Sequence, residues 1–198
     1  MITSEPINTE LFMQCDNLNF PIINVPEGFK ILNYKSGDME TWITIQSQTE
    51  KLINITNELY FQTYGNDDKT LSERQFFIID TKLNKAVGTA SAWFLDLPVD
   101  LKKASETSNS SIDNCEKESW GRLHWVCILP EYQGKGLGKA IVSFTLQKLI
   151  ELGHKKIFLD TDTRRENAVH IYKSFGFKEQ DKDVIKVIKT FHTLALHN

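Results

Sequence analysis

Cysteine is scarce in this chain: there are three in 198 residues. Cys15, Cys115 and Cys127 lie far apart and leave one unpaired, so they frame neither a disulfide scaffold nor a metal site and suit a reducing compartment. No apolar run approaches the roughly 18 residues of a membrane-spanning helix, and no basic-plus-apolar leader opens the sequence. The expectation is a cytoplasmic protein with no membrane partner. An excess of positive charge is missing too: 23 Lys and Arg against 26 Asp and Glu give a formal net charge of -3 and a pI near 6.0. Nothing here attracts nucleic acid in general, so any affinity for phosphate has to be local. No internal repeat is evident. The hydrophobic fraction of 40% is ordinary, and at this length it suits one domain, 1–198, with a full core.

The stretch Gly121–Gly138, GRLHWVCILPEYQGKGLG, organises the rest. Leu123 to Leu129 are mostly apolar with little strict alternation, as in a strand covered on both faces. Pro130 cannot donate a ladder hydrogen bond, so the strand should stop there. Gly134, Gly136 and Gly138 then alternate with Lys135 and Leu137, after Gln133 and before Lys139 and an apolar-periodic run. Glycine tolerates positive φ and has no Cβ, so several backbone amides can converge on one external group. At a helix start that group should be an anion. A P-loop is excluded because Ala140 stands where Ser or Thr is needed, and a Rossmann fingerprint because position 141 is Ile.

Along the chain, 1–27 reads as a polar lead-in, extended over Asn19–Pro26. Phe29–Tyr34 predicts a strand and Asp38–Leu52 a helix. Glu58–Thr70 is polar and aromatic, with a turn signal at 65–68. Gln75–Asp80 and Ala86–Leu95 predict a hairpin. Residues 97–119 are polar and aperiodic, which predicts an exposed insertion or, alternatively, a lid that selects the acceptor. Leu137–Leu152 predicts a helix with two apolar rows, Leu137/Ile141/Phe144 and Val142/Leu146/Leu149. Lys156–Asp160 predicts a short buried strand. Thr163 and Glu166 have the spacing of a capping box for a helix ending at Gly176, after which Val184, Ile185, Val187 and Ile188 alternate as closing strands. This is an α/β (α+β) pattern: a mixed central sheet with an antiparallel front half and a βαβ back half, helices on both faces.

The loop resembles the acyl-CoA loop of the GNAT superfamily of N-acetyltransferases, written Arg/Gln-x-x-Gly-x-Gly/Ala: here Gln133, Gly136 and Gly138. A second part of that family's pattern, Asn-x-x-Ala-x-x-x-Tyr-x-x-x-Gly-Phe, is matched by Ala168, Tyr172, Gly176 and Phe177, with Arg165 in place of the asparagine and Asn167 two places late. Together the two motifs span about Gly121 to Phe177.

The resemblance implies acetyl-CoA as acyl donor and direct transfer to a primary amine of a small molecule. The alternatives are a protein or peptide acceptor, and a non-catalytic acyl-CoA-binding module of the same fold. It implies that Gln133, Gly134, Lys135, Gly136, Leu137, Gly138 and Lys139 hold the pyrophosphate, Gln133 with a neutral hydrogen bond in place of the usual arginine charge. Lys135 or Lys139 can supply that charge, or can be solvated lysines. The backbone of Val126, Cys127 and Ile128 would pair with the pantetheine arm, and Asn167 would contact it or be plainly solvated. Tyr172 stands where the family has its general acid. His124 is the candidate base, at a place where arylalkylamine acetyltransferases, which this strand resembles, also have a histidine; it reads equally as a core residue. Trp125 should point to the opposite face from His124, as packing. Cys127 reads as a small buried hydrophobe. Acidic residues in 97–119 can attract a cationic amine or simply be solvated. No metal is called for, and a homodimer is one assembly left open.

Overall fold

The computed structural model describes residues 9–94 and 120–180. The predicted insertion at 97–119, the closing strands after 180 and Cys115 lie outside the described residues. The chain divides into two compact units, one with described residues 19–93 and 122–153, the other with 9–18, 94, 120–121 and 154–180. Seven strands and five α-helices are described, a mixed α/β architecture.

In the first unit, β2 (Phe29–Asn33), β3 (Gln75–Asp80) and β4 (Lys85–Phe94) run antiparallel, and β5 (Trp120–Ile128) lies next to β4. The front half is thus the antiparallel sheet that the sequence implies, with β5 beginning three residues before the expected Leu123. Helix α1 (Met39–Thr49) lies within the predicted range. The turn at 65–68 is present, with Gly65 at φ 69°, but two unpredicted helices flank it, α2 (Asn57–Tyr64) and α3 (Asp68–Arg74). These helices bury only Tyr60, Tyr64 and Leu71, too few for a 3.6-residue period to show. Helix α4 (Leu137–Glu151) buries Leu137, Ile141, Val142, Leu146 and Leu149 as the two apolar rows require. Phe144 meets Phe76 of β3 edge-on at 5.1 Å.

In the second unit, β1 (Glu10–Cys15) lies between β6 (Lys156–Asp162) and β7 (Lys178–Glu179), antiparallel to both. The lead-in therefore contains a strand that the sequence reading lacked. Its burial pattern, with Phe12, Met13 and Cys15 inside, does not alternate, and its partner strand is more than 140 residues away. The last helix, α5, spans Glu166–Ser174. The predicted capping box does not form: Arg165 is the N-cap residue and no side chain caps the helix. Instead the Asp162 carboxylate takes the Arg164 amide and guanidinium at 2.6–2.8 Å, and the Thr163 amide donates to the Thr9 carbonyl at 2.7 Å. Arg164 and Thr9, just before β1, thus claim the segment that the cap would have used.

Candidate active site

At the end of β5 the chain is pinned from several sides. The Leu129 amide donates to the Val87 carbonyl of β4 at 2.8 Å, and a single 3-10 turn, Pro130–Tyr132, follows. Tyr132 is buried against Phe29, its hydroxyl donating to Asp80 at 3.2 Å. Burial and the Asp80 carboxylate push this phenol's pKa up, while the Leu83 and Lys82 amides and Tyr132 itself hold that of Asp80 below the usual carboxylate range. Lys135 places its ammonium 4.6 Å from the centre of the Tyr132 ring, within cation–π range. A positive charge is therefore docked on the loop by its own neighbour.

The loop divides into amides that are used and amides that are not. Gln133 donates its amide to the Pro130 carbonyl at 3.2 Å and its side-chain Nε2 to the Ile128 carbonyl at 3.0 Å. Gln133 thus closes the strand end through its main chain and its side chain, which holds it at the base of the loop. Gly134 and Gly136 adopt φ 76° and 81°. A Cβ on Gly134 would meet nothing within 4 Å, and one on Gly136 only Pro26 Cγ at 3.8 Å. Backbone conformation, then, and not crowding, calls for glycine here. Gly136 is the N-cap of α4, no side chain caps the helix and its first turn carries no acidic residue. The first intrahelical bond runs from Ala140 to the Gly136 carbonyl at 3.1 Å, so the amides of Leu137, Gly138 and Lys139 have no intrahelical acceptor.

Strand β5 is not regular. Trp125, in its middle, has φ 48°. Buried positions fall at odd numbers before it, Gly121 and Leu123, and at an even one after it, Ile128, as one extra residue in a strand would produce. His124 and Trp125 consequently do not face opposite ways. Their rings lie 5.9 Å apart, His124 is 5.8 Å from Tyr64, and Trp125 is 5.2 Å from Trp42. Tyr64 in turn meets Trp42 at 5.5 Å and Trp93 at 4.9 Å, so one aromatic cluster takes both side chains. The Trp125 carbonyl accepts from Nε2 of Gln46 on α1 at 3.0 Å. Gly88 of β4 lies so close to β5 that a Cβ would sit 2.4 Å from Ile128 Cδ1 and 2.8 Å from the Cys127 carbonyl oxygen. Since Leu129 bonds to β4, alternation puts the backbone polar groups of Cys127 on the β4 side and those of Val126 and Ile128 on the other. The Cys127 side chain is half-buried.

In the second unit, Tyr172 is buried near the end of α5. Gly176, at φ 88°, turns the chain so that Phe175 and Phe177 both donate to the Tyr172 carbonyl, at 3.0 and 3.2 Å, and the Phe177 ring comes to 6.1 Å from that of Tyr172. The Tyr-x-x-x-Gly-Phe spacing thus has a mechanical purpose, a glycine reversal that locks the tyrosine in place. Asn167 is exposed at the second position of the helix. A pocket of about 360 Å³ beside α5, lined by Glu166, His170, Lys173 and Glu179 among others, holds none of the predicted site residues.

The model of the acetyltransferase (GNAT) family matches residues 42–177, more than half of the chain. The chain belongs to the GNAT acetyltransferase family. An uncharacterised N-acetyltransferase of Methanocaldococcus jannaschii is 21% identical over 185 residues, 88% of this chain and 71% of that protein. The mycothiol acetyltransferase of Pseudarthrobacter chlorophenolicus is 38% identical over 65 residues, 33% of this chain and 20% of that one. A solved GCN5-related N-acetyltransferase of Sphaerobacter thermophilus shares the fold with a TM-score of 0.64 at 16% identity, covering 86% of this chain and 48% of its own. The GNAT chain thus spans a fifth of the mycothiol enzyme and about half of the Sphaerobacter protein.

Family membership makes the chain an acyltransferase enzyme, and GNAT enzymes generally use acetyl-CoA. The start of α4 thus carries uncapped helix amides, left-handed glycines and a lysine docked on Tyr132, groups of the kind that bind anions at helix N-termini. Sequence reasoning missed Gln46, Gly88 and the aromatic cluster. Gln46 acts on a residue 79 positions away and carries no local signal. Among the described residues no helix is long and apolar enough to cross a membrane.

Proposed function

We propose that this domain transfers the acetyl group of acetyl-CoA directly to the primary amine of a small molecule. The observation that carries the reading is the open start of α4, where the first amides have no intrahelical acceptor and no side chain caps them. In this reading the amides of 134–139 take the pyrophosphate, with Lys135 and Lys139 adding charge. Gln133 holds the strand end against the loop. Val126 and Ile128 pair with the pantetheine arm, Cys127 supports them from the β4 side, and Asn167 meets the arm from α5. The amine nitrogen bonds to the acetyl carbon as the carbon–sulfur bond breaks. His124 takes the proton that the amine must lose, directly or through water, and the Tyr172 phenol protonates the departing thiolate. Trp125, which is only half-buried beside His124, is an aromatic group of the kind that holds an ammonium, and this supports an amine acceptor. The scarcity of cysteine is our ground for a cytoplasmic location.

Calorimetric titration with acetyl-CoA, followed by a thiol-release screen of small amines and peptides, tests the proposal. Binding with thiol release for a small amine is the expected result. Release with peptides alone would move the acceptor to proteins, binding without turnover would leave a binding module, and no binding would remove the reading. With a working acceptor, Tyr172→Phe should lower kcat about 100-fold with little change in KM, the lower range for a general acid; an unchanged kcat would end the acid assignment.

A further inference from the structure

We infer that Gln46 is a positioning residue for acyl-donor binding, acting through the left-handed Trp125 in the middle of β5. The inference rests on the reading that Val126 and Ile128 meet the pantetheine arm.

Two non-glycine residues have positive φ among the described residues, Asn84 in the β3–β4 turn and Trp125. Asparagine tolerates the left-handed region, whereas for a bulky residue it is a genuine outlier. Such a conformation persists only where its surroundings over-determine it. Two contacts do so here. The Trp125 ring packs edge-on against Trp42, which is wholly buried, and the Trp125 carbonyl accepts from Gln46 at 3.0 Å. Gln46 is itself 2% exposed, one turn along α1 from Trp42, so a single helix supplies both restraints. The ring contact fixes the side chain; the amide fixes the peptide plane that leads into Val126.

That plane decides what the rest of β5 presents. The shift of buried positions from Leu123 to Ile128 turns on it, and so does the side on which Val126 and Ile128 carry their backbone groups. At the far end Gln133 holds the Ile128 carbonyl at 3.0 Å. Val126 to Ile128 is thus clamped between two glutamine side chains, each bonded to a main-chain carbonyl. Removing Gln46 strands the Trp125 carbonyl and lets the peptide relax toward ordinary extended backbone. Affinity then falls by the fraction of molecules that keep the competent strand.

The test is calorimetric titration of the full chain with acetyl-CoA and with 3′-phosphoadenosine 5′-diphosphate, which has the phosphates but lacks the arm. Gln46→Met keeps the length and removes the donor. It should weaken acetyl-CoA about tenfold, the scale of one lost buried hydrogen bond, and leave the nucleotide within about twofold. In a Trp125→Gly background, where positive φ needs no help, the same substitution should cost less than about threefold. Equal losses for both ligands, no loss for acetyl-CoA, or an undiminished loss in the glycine background would each overturn the inference. Should Gln46→Met not fold, Gln46→Leu, which is apolar and has no donor, carries the same expectations. Wild type that binds neither ligand would fail the loop reading, and wild type that binds both equally would fail the strand reading; either takes this inference with it.

Discussion

Helices α2, α3 and α4 belong to one unit and begin in different ways. At α2 the Thr56 hydroxyl accepts the Leu59 amide at 3.1 Å, and at α3 the Asp67 carboxylate accepts the Lys69 and Thr70 amides at 3.3 and 3.2 Å. Those helices satisfy their first amides from their own sequence. At α4 the equivalent position is Gly136, which has no side chain to offer and holds φ 81°. The difference sets α4 apart from α2 and α3: their starts are complete without a ligand, whereas the first amides of α4, behind a left-handed glycine, are left without a side-chain partner.

The comparison breaks most sharply if α4 is given a negative group of its own. Gly136→Glu adds a carboxylate beside the exposed amides and a Cβ to a left-handed residue. Acetyl-CoA affinity by calorimetry should fall at least about 100-fold, because like charge now meets the diphosphate and the backbone resists the turn. Gly136→Asn is the control. Asparagine tolerates the left-handed region and carries no charge, so its loss should stay below about tenfold. Equal effects from both substitutions would mean that glycine serves the turn and not an anion.

The reverse change belongs to α2. Thr56→Ala removes a cap and should cost about 1 kcal/mol of stability, read as a fall in Tm of roughly 2–4 °C for a chain of this size. Acetyl-CoA affinity should not move. A cap loss that weakened acetyl-CoA would show that α2 communicates with the loop.

How far the sequence foretold all this depends on distance along the chain. The loop, the start of α4, its two apolar rows and the β3–β4 hairpin were legible because each is a local pattern of glycine, proline or period. Tyr172 and Gly176 were legible through a short motif whose geometry is a single turn. What escaped was carried by remote partners: β1, which pairs with β6; Gln46, which reaches Trp125; and Thr9, which takes the Thr163 amide. The capping box failed partly for the same reason, through Thr9, and partly because of a local competitor. Thr163 and Glu166 have the right spacing, but Asp162 binds Arg164 first and the helix begins later. The strand read from Leu123 to Leu129 is present as β5, but its left-handed Trp125 escaped, since nothing in the spelling of an apolar run marks such a residue.

The smallest effect expected is at α3, and it is a matter of sign. The hydroxyl and amide of Thr70, then the Lys69 amide, hold the Asp67 carboxyl below its ordinary value of 3.8. A group whose pKa is depressed by folding stabilises the fold above its unfolded value and loses that contribution as pH falls through the folded one. Asp67→Asn keeps a capping oxygen but not the charge, so the variant isolates the carboxylate. The Tm difference between wild type and Asp67→Asn should be small and constant near neutrality, and should shrink as the pH drops below about 4. Acetyl-CoA affinity should be the same in both proteins at neutral pH, since the α3 start is already closed. A Tm difference that persisted unchanged to pH 3 would show that the carboxylate charge contributes nothing to the cap, and the closed α3 start would then differ from the open α4 start only in having capping oxygens, charged or not.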